Sequence, residues 1–243
     1  MANNYFQFKQ FIVLQEHCAM KVCTDACIFG ATVGQVLSHA KKEPANILDI
    51  GTGTGLLSLM AAQKSNATVD AIELDEAACE QARTNFEQSP WQKRLNIFNA
   101  DALTFYTGKK YDCIISNPPF FEGDLKSANR EKNAAKHDTT LTLEQLLSVI
   151  NNHLSPDGFF GVLLPWHRVE FFIEIATAAD YFLTKQLLVQ HTKTHPFFRG
   201  ILFFSRQKTN IDSNELVIKN EDRHYSPEFV DLMKDYYLHL EDG

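Results

Sequence analysis

Residues 46–55 read NILDIGTGTG, and this stretch decides the fold class of the chain. The apolar run 46–50 predicts a buried strand, and GLLSLMAAQK at 55–64 predicts a helix directly after it. A glycine-rich turn between a strand and a helix is typical of open α/β sheets, which bind nucleotide-like ligands beyond the carboxyl ends of their strands. The segment therefore indicates a Rossmann-like α/β domain with a ligand site at this turn.

Apolar runs and amphipathic stretches alternate along the rest of the chain. We predict further strands at 68–73, 95–98, 112–117, 159–164, 185–191 and 201–205, helices at 75–86, 143–153 and 170–180, and a turn at 155–158. Strands that alternate with helices pair in parallel, and the last two runs, joined without a helix, add one antiparallel strand at one end. The expected architecture is a seven-stranded, mostly parallel sheet with helices on both faces.

The 243 residues fit one domain, because they contain no internal repeat and no long linker. We divide the chain into an N-terminal cap at 1–43, a catalytic core at 44–210, and a C-terminal strand and helix at 211–243. The C-terminal strand is predicted at 215–219, and the helix starts at Ser226-Pro227, a typical N-cap and first position, and runs to about His239.

The composition predicts an ordinary reduced protein of the cytoplasm. Five cysteines without a Cys-x-x-Cys pair argue against a disulfide framework or a zinc site, so we expect free thiols and no metal. No apolar run approaches the roughly 18 residues that span a bilayer, and no signal peptide pattern is present. We expect no membrane partner and favour a monomer.

Charge is distributed unevenly along the chain. The net charge is −7, and residues 211–243 hold nine acids against three bases. Residues 181–210 hold five bases and no acid. Because a local basic face is what meets phosphates, the acidic total is compatible with an RNA substrate.

The glycine spacing distinguishes between two kinds of cofactor. A dinucleotide turn reads G-x-G-x-x-G and holds a pyrophosphate, whereas Gly51, Gly53 and Gly55 follow G-x-G-x-G. Asp49 precedes the first glycine by two residues, and a carboxylate there suits the cationic ammonium and sulfonium of S-adenosylmethionine. This cofactor is therefore favoured over a dinucleotide, and a dinucleotide oxidoreductase is the disfavoured alternative.

Two further acids follow the next strands at matching positions. Glu73 ends the second predicted strand, where a carboxylate can accept hydrogen bonds from ribose hydroxyls. Asp101 follows the third strand, where it can accept a hydrogen bond from the adenine amino group. The ordered set of glycines and acids predicts a complete cofactor site.

Asn117-Pro118-Pro119-Phe120 closes the fourth predicted strand. The side-chain oxygen of Asn117 and the carbonyl of Pro118 can each accept one N–H of a planar amino group and raise its nucleophilicity. The prolines hold both acceptors still, and Phe120 offers a face on which a base can stack. We therefore predict methylation of an exocyclic amine, with Asn117 also bordering the cofactor.

These motifs resemble the bacterial tRNA1(Val) (adenine(37)-N(6))-methyltransferases, within the class I S-adenosylmethionine-dependent superfamily. The similar stretches are FKQFIVLQEHCAMKVCTDACIFGA at 8–31, DIGTGTG, NPPF, AAKHDTTLTLEQLL at 134–147 and YSPEFVDLMKDYYLHL at 225–240. The resemblance implies a class I methyltransferase fold, methylation of the adenosine beside the anticodon of one valine tRNA, and Thr24 and Asp25 lining the methionine end of the cofactor.

Two segments are candidates for contact with the anticodon loop. Lys132, Lys136 and His137 lie in a polar segment just after Phe120. Phe197 and Arg199 lie between the last two predicted strands, where aromatic and basic side chains together suit an unpaired RNA loop.

Three alternatives stay open at this point. The Asn-Pro-Pro-Phe motif also serves methylation of the guanine exocyclic amine in ribosomal RNA. Protein-glutamine methylation is a further alternative, although those enzymes usually carry tyrosine where this chain has Phe120. The third alternative is a non-catalytic module that binds the cofactor or RNA, and the complete Asn-Pro-Pro-Phe motif argues against it.

Overall fold

The chain folds as alternating strands and helices, and the computed structural model describes residues 4–18, 20–40, 42–119 and 141–240. In chain order the elements are β1 (Tyr5–Gln7), β2 (Ile12–Leu14), α1 (Thr24–Ser38), β3 (Asn46–Ile50), α2 (Leu56–Lys64), β4 (Thr68–Glu73), α3 (Glu76–Glu87), β5 (Leu95–Asn99), β6 (Tyr111–Ser116), α4 (Leu143–His153), β7 (Leu154–Pro165), α5 (Val169–Ala178), β8 (Phe182–Gln190), β9 (Phe197–Ser205), β10 (Asp212–Val217) and α6 (Pro227–Met233). Short 3₁₀ turns occupy Gln92–Arg94 and Trp166–Arg168.

Strands β3 to β10 form one sheet in the order β10-β8-β9-β7-β6-β3-β4-β5. The predicted mostly parallel α/β sheet is confirmed, with two differences. It has eight strands instead of seven, because β10 pairs in parallel with β8 and extends the edge. The antiparallel strand β9 lies inside the sheet, between β7 and β8, because the β8–β9 hairpin folds back against β7.

Several element boundaries depart from the sequence prediction. The predicted turn at 155–158 lies within β7, but the pairing with β6 jumps there, from Tyr111 opposite Leu154 to Cys113 opposite Phe159. Strand β9 begins four residues earlier than predicted, at Phe197. Helix α6 ends at Met233 instead of near His239, since the chain turns there and the backbone N–H groups of the next tyrosines donate to the Met233 carbonyl.

Side chains alternate between two apolar clusters on opposite faces of the sheet. Ile47 of β3 packs into one cluster with residues of α1, α2 and α6, whereas its neighbour Leu48 packs into the other with residues of α4 and α5. The first cluster also takes in Phe8 of the N-terminal segment and Tyr236 of the C-terminal segment. The ends of the chain thus contribute to the same core as the sheet.

All five cysteines are free thiols, and Cys27, Cys79 and Cys113 are buried. Burial raises the pKa of the Cys27 thiol to about 12. The thiol is therefore protonated and unreactive at neutral pH, as expected of a small apolar core residue. Within the described ranges, no helix is both long enough and apolar enough to cross a membrane.

Asn85 of α3 ties the N-terminal segment to the glycine loop. Its side-chain oxygen accepts from Leu14 N at 2.9 Å, and its amide donates to the carbonyls of Leu14 at 2.9 Å and Thr54 at 2.8 Å. Asn85 is 1% exposed, so water does not reach these backbone groups to take its place as a hydrogen-bond partner. One side chain thereby fixes the end of β2 against the loop that follows β3.

We expect Asn85→Ala to lower the free energy of unfolding by about 1–3 kcal/mol, because it leaves buried backbone groups without partners. Urea denaturation measures the change. The matched control is Asn152→Ala on the exposed side of α4, which should change stability by no more than about 0.5 kcal/mol. Equal stability of the two variants would refute the role given to Asn85.

Candidate functional site

The predicted site residues that the structure describes lie at one edge of the sheet. Strands β3, β4, β5, β6 and β7 run parallel, so their carboxyl ends share this edge. Strand β9 runs antiparallel and starts at the same edge, with Arg199 opposite Pro165. The glycine loop follows β3, Glu73 ends β4, and Asn117 follows β6. The topology therefore brings to one edge groups that are distant in the chain, such as Gly51 and Arg199, which are 148 residues apart.

The glycine loop leaves open space where a ligand can approach the backbone. Gly51, Gly53 and Gly55 have positive φ angles of 70°, 57° and 82°, a conformation that glycine adopts without strain. A Cβ added at Gly51 or Gly53 would meet no atom within 4 Å, whereas one at Gly55 would come within 2.5 Å of the Phe86 ring. The first two glycines thus border the site, and the third packs α2 against α3.

Asp49 is fully buried beneath this loop. One carboxylate oxygen, Oδ2, accepts hydrogen bonds from Thr52 Oγ1 at 2.6 Å and Ser58 Oγ at 2.7 Å. The other, Oδ1, has no hydrogen-bond partner among the residues that the structure describes. Burial raises the pKa of the Asp49 carboxyl to about 6, although both hydroxyl donors oppose the rise. An anion held in this way organises the loop and adds negative potential to the site, which suits a cationic ligand group.

Glu73 and Asp101 lie at the ends of neighbouring strands and each anchor a loop. The Glu73 carboxylate accepts the backbone N–H groups of Gly53 at 2.8 Å and Asp75 at 3.0 Å, and retains further lone pairs for a ligand. Asp101 accepts the N–H of Leu103 at 2.9 Å. Glu73 therefore links the glycine loop to β4, and its contact with a ribose stays a prediction.

Asn117 carries an unpaired acceptor at the end of β6. Its Oδ1 is buried and has no hydrogen-bond partner within the described part of the chain. The preceding Ser116 donates from Oγ to the Ile50 carbonyl at 2.9 Å, which fixes the end of β6 beside the end of β3. A buried acceptor without a donor is costly, so this oxygen is suited to a donor that arrives with a ligand.

Asp25 in the first turn of α1 pairs with Arg199 of β9. Arg199 Nε lies 2.7 Å from Asp25 Oδ2, and the Asp25 side chain is 10% exposed. Thr24, the first residue of α1, adjoins the pair. The sequence predicted that Asp25 contacts the cofactor and that Arg199 contacts RNA, but it did not predict the ion pair between them. Arg199 is thus held against the predicted cofactor side of the site, and its RNA contact stays a prediction.

Several cations of the basic segment 181–210 contact other residues of the chain, and the RNA contact of the segment stays a prediction. Lys185 pairs with Asp212, and Arg206 donates to Asn151 and Tyr181. Arg206 also follows the end of β9, at the opposite edge of the sheet. Most of these cations are therefore engaged with the protein itself.

Phe197 lies next to an exposed tryptophan that the sequence gave no reason to select. The ring centroids of Phe197 and Trp166 are 5.4 Å apart, and Trp166 is 42% exposed.

Of the other predicted residues, Phe120, Lys132, Lys136 and His137 lie outside the described residues. Among the residues that are described, no group of three or more His, Cys, Asp or Glu side chains could hold a metal ion.

Comparison with known proteins identifies a family for this arrangement. The family model of the Methyltransferase small domain matches residues 20–161. A relative from Cytophaga hutchinsonii, named tRNA1(Val) (adenine(37)-N6)-methyltransferase, is 38% identical over 99% of this chain and 100% of its own length. A protein of the same name from Dyadobacter fermentans is 41% identical over 97% of this chain and 98% of its own.

A solved structure supports the fold independently. A predicted O-methyltransferase from Agrobacterium tumefaciens superposes with a TM-score of 0.63, covering 86% of this chain and 95% of that one. The two sequences are 15% identical, so the likeness concerns the fold alone.

The raised pKa of Asp49 makes stability depend on pH. The folded protein binds the Asp49 proton more tightly than the unfolded chain, so stability falls as pH rises from about 4 to about 6 and then levels off. Relative to Asp49→Asn, which cannot titrate, the wild type should lose about 2 kcal/mol between pH 4 and pH 7. Urea denaturation at both pH values measures this difference.

The exposed Asp157 supplies the control, because Asp157→Asn should follow the wild-type pH profile. If Asp49→Asn and the wild type change in parallel between the two pH values, the Asp49 carboxyl does not titrate as its burial requires.

Proposed function

The chain belongs to the tRNA1(Val) (adenine(37)-N6)-methyltransferase family, and from this membership and the site geometry we propose its reaction. The enzyme methylates the exocyclic N6 of adenosine 37 in tRNA1(Val), with S-adenosylmethionine as cofactor. Adenosine 37 adjoins the anticodon, so the partner is the anticodon loop of the tRNA. We place this activity in the cytoplasm, and the chain is expected to act as a monomer.

The unpaired Asn117 Oδ1 is the observation that carries the proposal. An exocyclic amine has two N–H groups and a nitrogen lone pair delocalised into the ring. Hydrogen bonds from that amine to Asn117 Oδ1 and to the Pro118 carbonyl hold the nitrogen in place and favour pyramidal geometry. The demand on both acceptors grows as positive charge develops on the nitrogen, so the contacts strengthen in the transition state.

The cofactor residues fit S-adenosylmethionine, which when bound supplies an electrophilic methyl group on a sulfonium. The open backbone at Gly51 and Gly53 would admit it, and Glu73 would accept from its ribose hydroxyls. Asp101 would bind its adenine amino group, and Asp49 would contribute negative potential beneath the loop. Thr24 and Asp25, at the start of α1, would border its methionine end.

The relatives' names favour adenine over the other amine substrates. Guanine methylation in ribosomal RNA and glutamine methylation use the same Asn-Pro-Pro clamp, and no feature of the described residues favours either one. A dinucleotide site is disfavoured by the G-x-G-x-G spacing. A catalytically inactive module is disfavoured because burying the Asn117 oxygen without a hydrogen-bond donor destabilises the fold, and only a ligand that supplies the donor offsets this cost.

Methyl transfer to total tRNA, followed by nucleoside mass spectrometry, tests the proposal. The expected product is N6-methyladenosine at position 37 of tRNA1(Val) alone. Methylated guanosine, or transfer to a protein substrate with none to tRNA, would refute it.

Glu73→Ala should weaken S-adenosylmethionine binding by about 1.5–3 kcal/mol, because a charge-assisted contact to the ribose is lost. Isothermal titration calorimetry measures the affinity, and circular dichroism checks the fold, since Glu73 also holds the glycine loop. Glu87→Ala, which removes an exposed carboxylate at the far end of α3, should bind as the wild type does. Unchanged affinity in folded Glu73→Ala would remove the ribose assignment.

Asn117→Ala should lower the single-turnover rate of methyl transfer to tRNA by about 10²–10³-fold while cofactor affinity stays near wild type. The loss falls on the rate because the contact strengthens in the transition state. Asn152→Ala on α4 serves as the control and should react at the wild-type rate.

Phe120 provides a contrasting variant. Phe120→Ala should cost about 1–3 kcal/mol, chiefly in productive binding of the base, and Phe120→Tyr should keep much of the activity. If Asn117→Ala retains the wild-type single-turnover rate, Asn117 does not hold the reacting amine.

A further inference from the structure

Trp166 and Phe197 form an aromatic pair on the surface at the carboxyl edge of the sheet. Trp166 starts the 3₁₀ turn after β7, and Phe197 starts β9. Their ring centroids are 5.4 Å apart with planes inclined at 57°, and Trp166 is 42% exposed. A large apolar ring exposed to this extent leaves a face available for stacking.

The pair lies beside the position proposed for the target amine. A surface pocket is lined jointly by Pro118 and Pro119 of the amine clamp, by Pro165 at the end of β7 and by Arg168. Trp166 follows Pro165 directly and belongs to the same turn as Arg168. The pocket that contains the clamp prolines is thus also lined by residues on either side of Trp166 in the chain, Pro165 and Arg168.

The distribution of charge makes stacking important on this surface. Arg199, the base of β9 at this edge, pairs with Asp25, and Lys185 and Arg206 contact other parts of the chain. Lys193, in the loop just before Phe197, is exposed and available to a phosphate, so stacking would act beside a small number of phosphate contacts. Stacking on aromatic side chains is the other main source of affinity for unpaired RNA.

We propose that Trp166 and Phe197 form a stacking subsite for a nucleotide that flanks the target adenosine in the unpaired anticodon loop. The proposal rests on the proposed function, because it assumes that the target base enters beside Asn117. Its occupant is a base of the same loop, one nucleotide from the target. The subsite would hold the loop while the target base is extruded into the clamp.

Tryptophan fluorescence gives a direct test, because the chain has two tryptophans, Trp91 and Trp166. In Trp91→Phe, Trp166 is the sole fluorophore, and a synthetic anticodon stem-loop of tRNA1(Val) should quench its emission. Trp166→Phe keeps only the half-buried Trp91, which packs against Phe11, and should show little quenching. Absence of quenching in Trp91→Phe under conditions where the stem-loop binds would overturn the proposal.

Stem-loops with a single abasic site identify the stacked base. An abasic nucleotide at one of the two positions that adjoin adenosine 37 should abolish the quenching of Trp166. An abasic nucleotide at position 37 itself should leave the quenching unchanged. The reverse pattern would show that Trp166 contacts the target base itself and would overturn the flanking assignment.

Kinetics supply a second measurement. Trp166→Ala should raise the KM for the stem-loop about 10-fold or more with little change in kcat and none in S-adenosylmethionine affinity, and Trp166→Phe should restore most of the loss. Tyr5→Ala, which removes a ring of similar exposure (47%) on β1, should leave KM unchanged. A wild-type KM in Trp166→Ala would overturn the subsite.

The two proposals fail in different ways. Quenching by the stem-loop without any methylation by the wild type would refute the proposed reaction and leave only the RNA contact of Trp166 standing. Methylation of adenosine 37 without quenching in Trp91→Phe would refute the subsite and leave the reaction standing.

Discussion

The buried carboxylate of Asp49 is the interaction on which the geometry of the site depends. Its Oδ2 binds Thr52 and Ser58, one hydroxyl in the glycine loop and one in helix α2, so the anion joins the end of β3 to the start of the helix. With that turn fixed, Gly53 presents its N–H to Glu73 from the next strand. Burying an anion is costly, and the raised pKa of Asp49 reflects that cost. The desolvation of Asp49 thus destabilises the protein at the place where a cationic ligand would offset it.

Local patterns predicted the elements whose burial follows from their own sequence. The bounds of β3, β4 and α4 agree with the prediction residue for residue, because apolar periodicity and capping residues define them. The prediction was wrong where partners distant in sequence decide the structure. β10 joins the sheet by pairing with β8, and residues 155–158 remain extended because β7 continues past a break in its pairing with β6. Neither result could be read from a local pattern.

The site was predictable to the extent that it rests on short motifs. The glycines, Asp49, Glu73 and Asn117 are recognisable because each lies at or just after the carboxyl end of a predicted strand, and the structure brings them to one edge. The pairing of Asp25 with Arg199 spans 174 residues and carries no local signal. Trp166 was missed for a related reason, since a single aromatic residue after a strand belongs to no motif. The sheet order, known only from the fold, brings these residues to the edge that holds the motifs.

The Asp25–Arg199 pair joins two functions that the sequence had assigned separately. Asp25 begins the helix beside the predicted cofactor site, and Arg199 belongs to the strand that starts with Phe197 at the predicted RNA side. The Arg199 side chain is committed to Asp25, whereas the rings of Phe197 and Trp166 and the exposed Lys193 lie at the predicted RNA side. Stacking requires bases that are unpaired, whereas phosphate contacts are available on any duplex. With the proposed stacking subsite, such an edge would favour an unpaired RNA loop over a duplex and would need few cations from a chain of net charge −7.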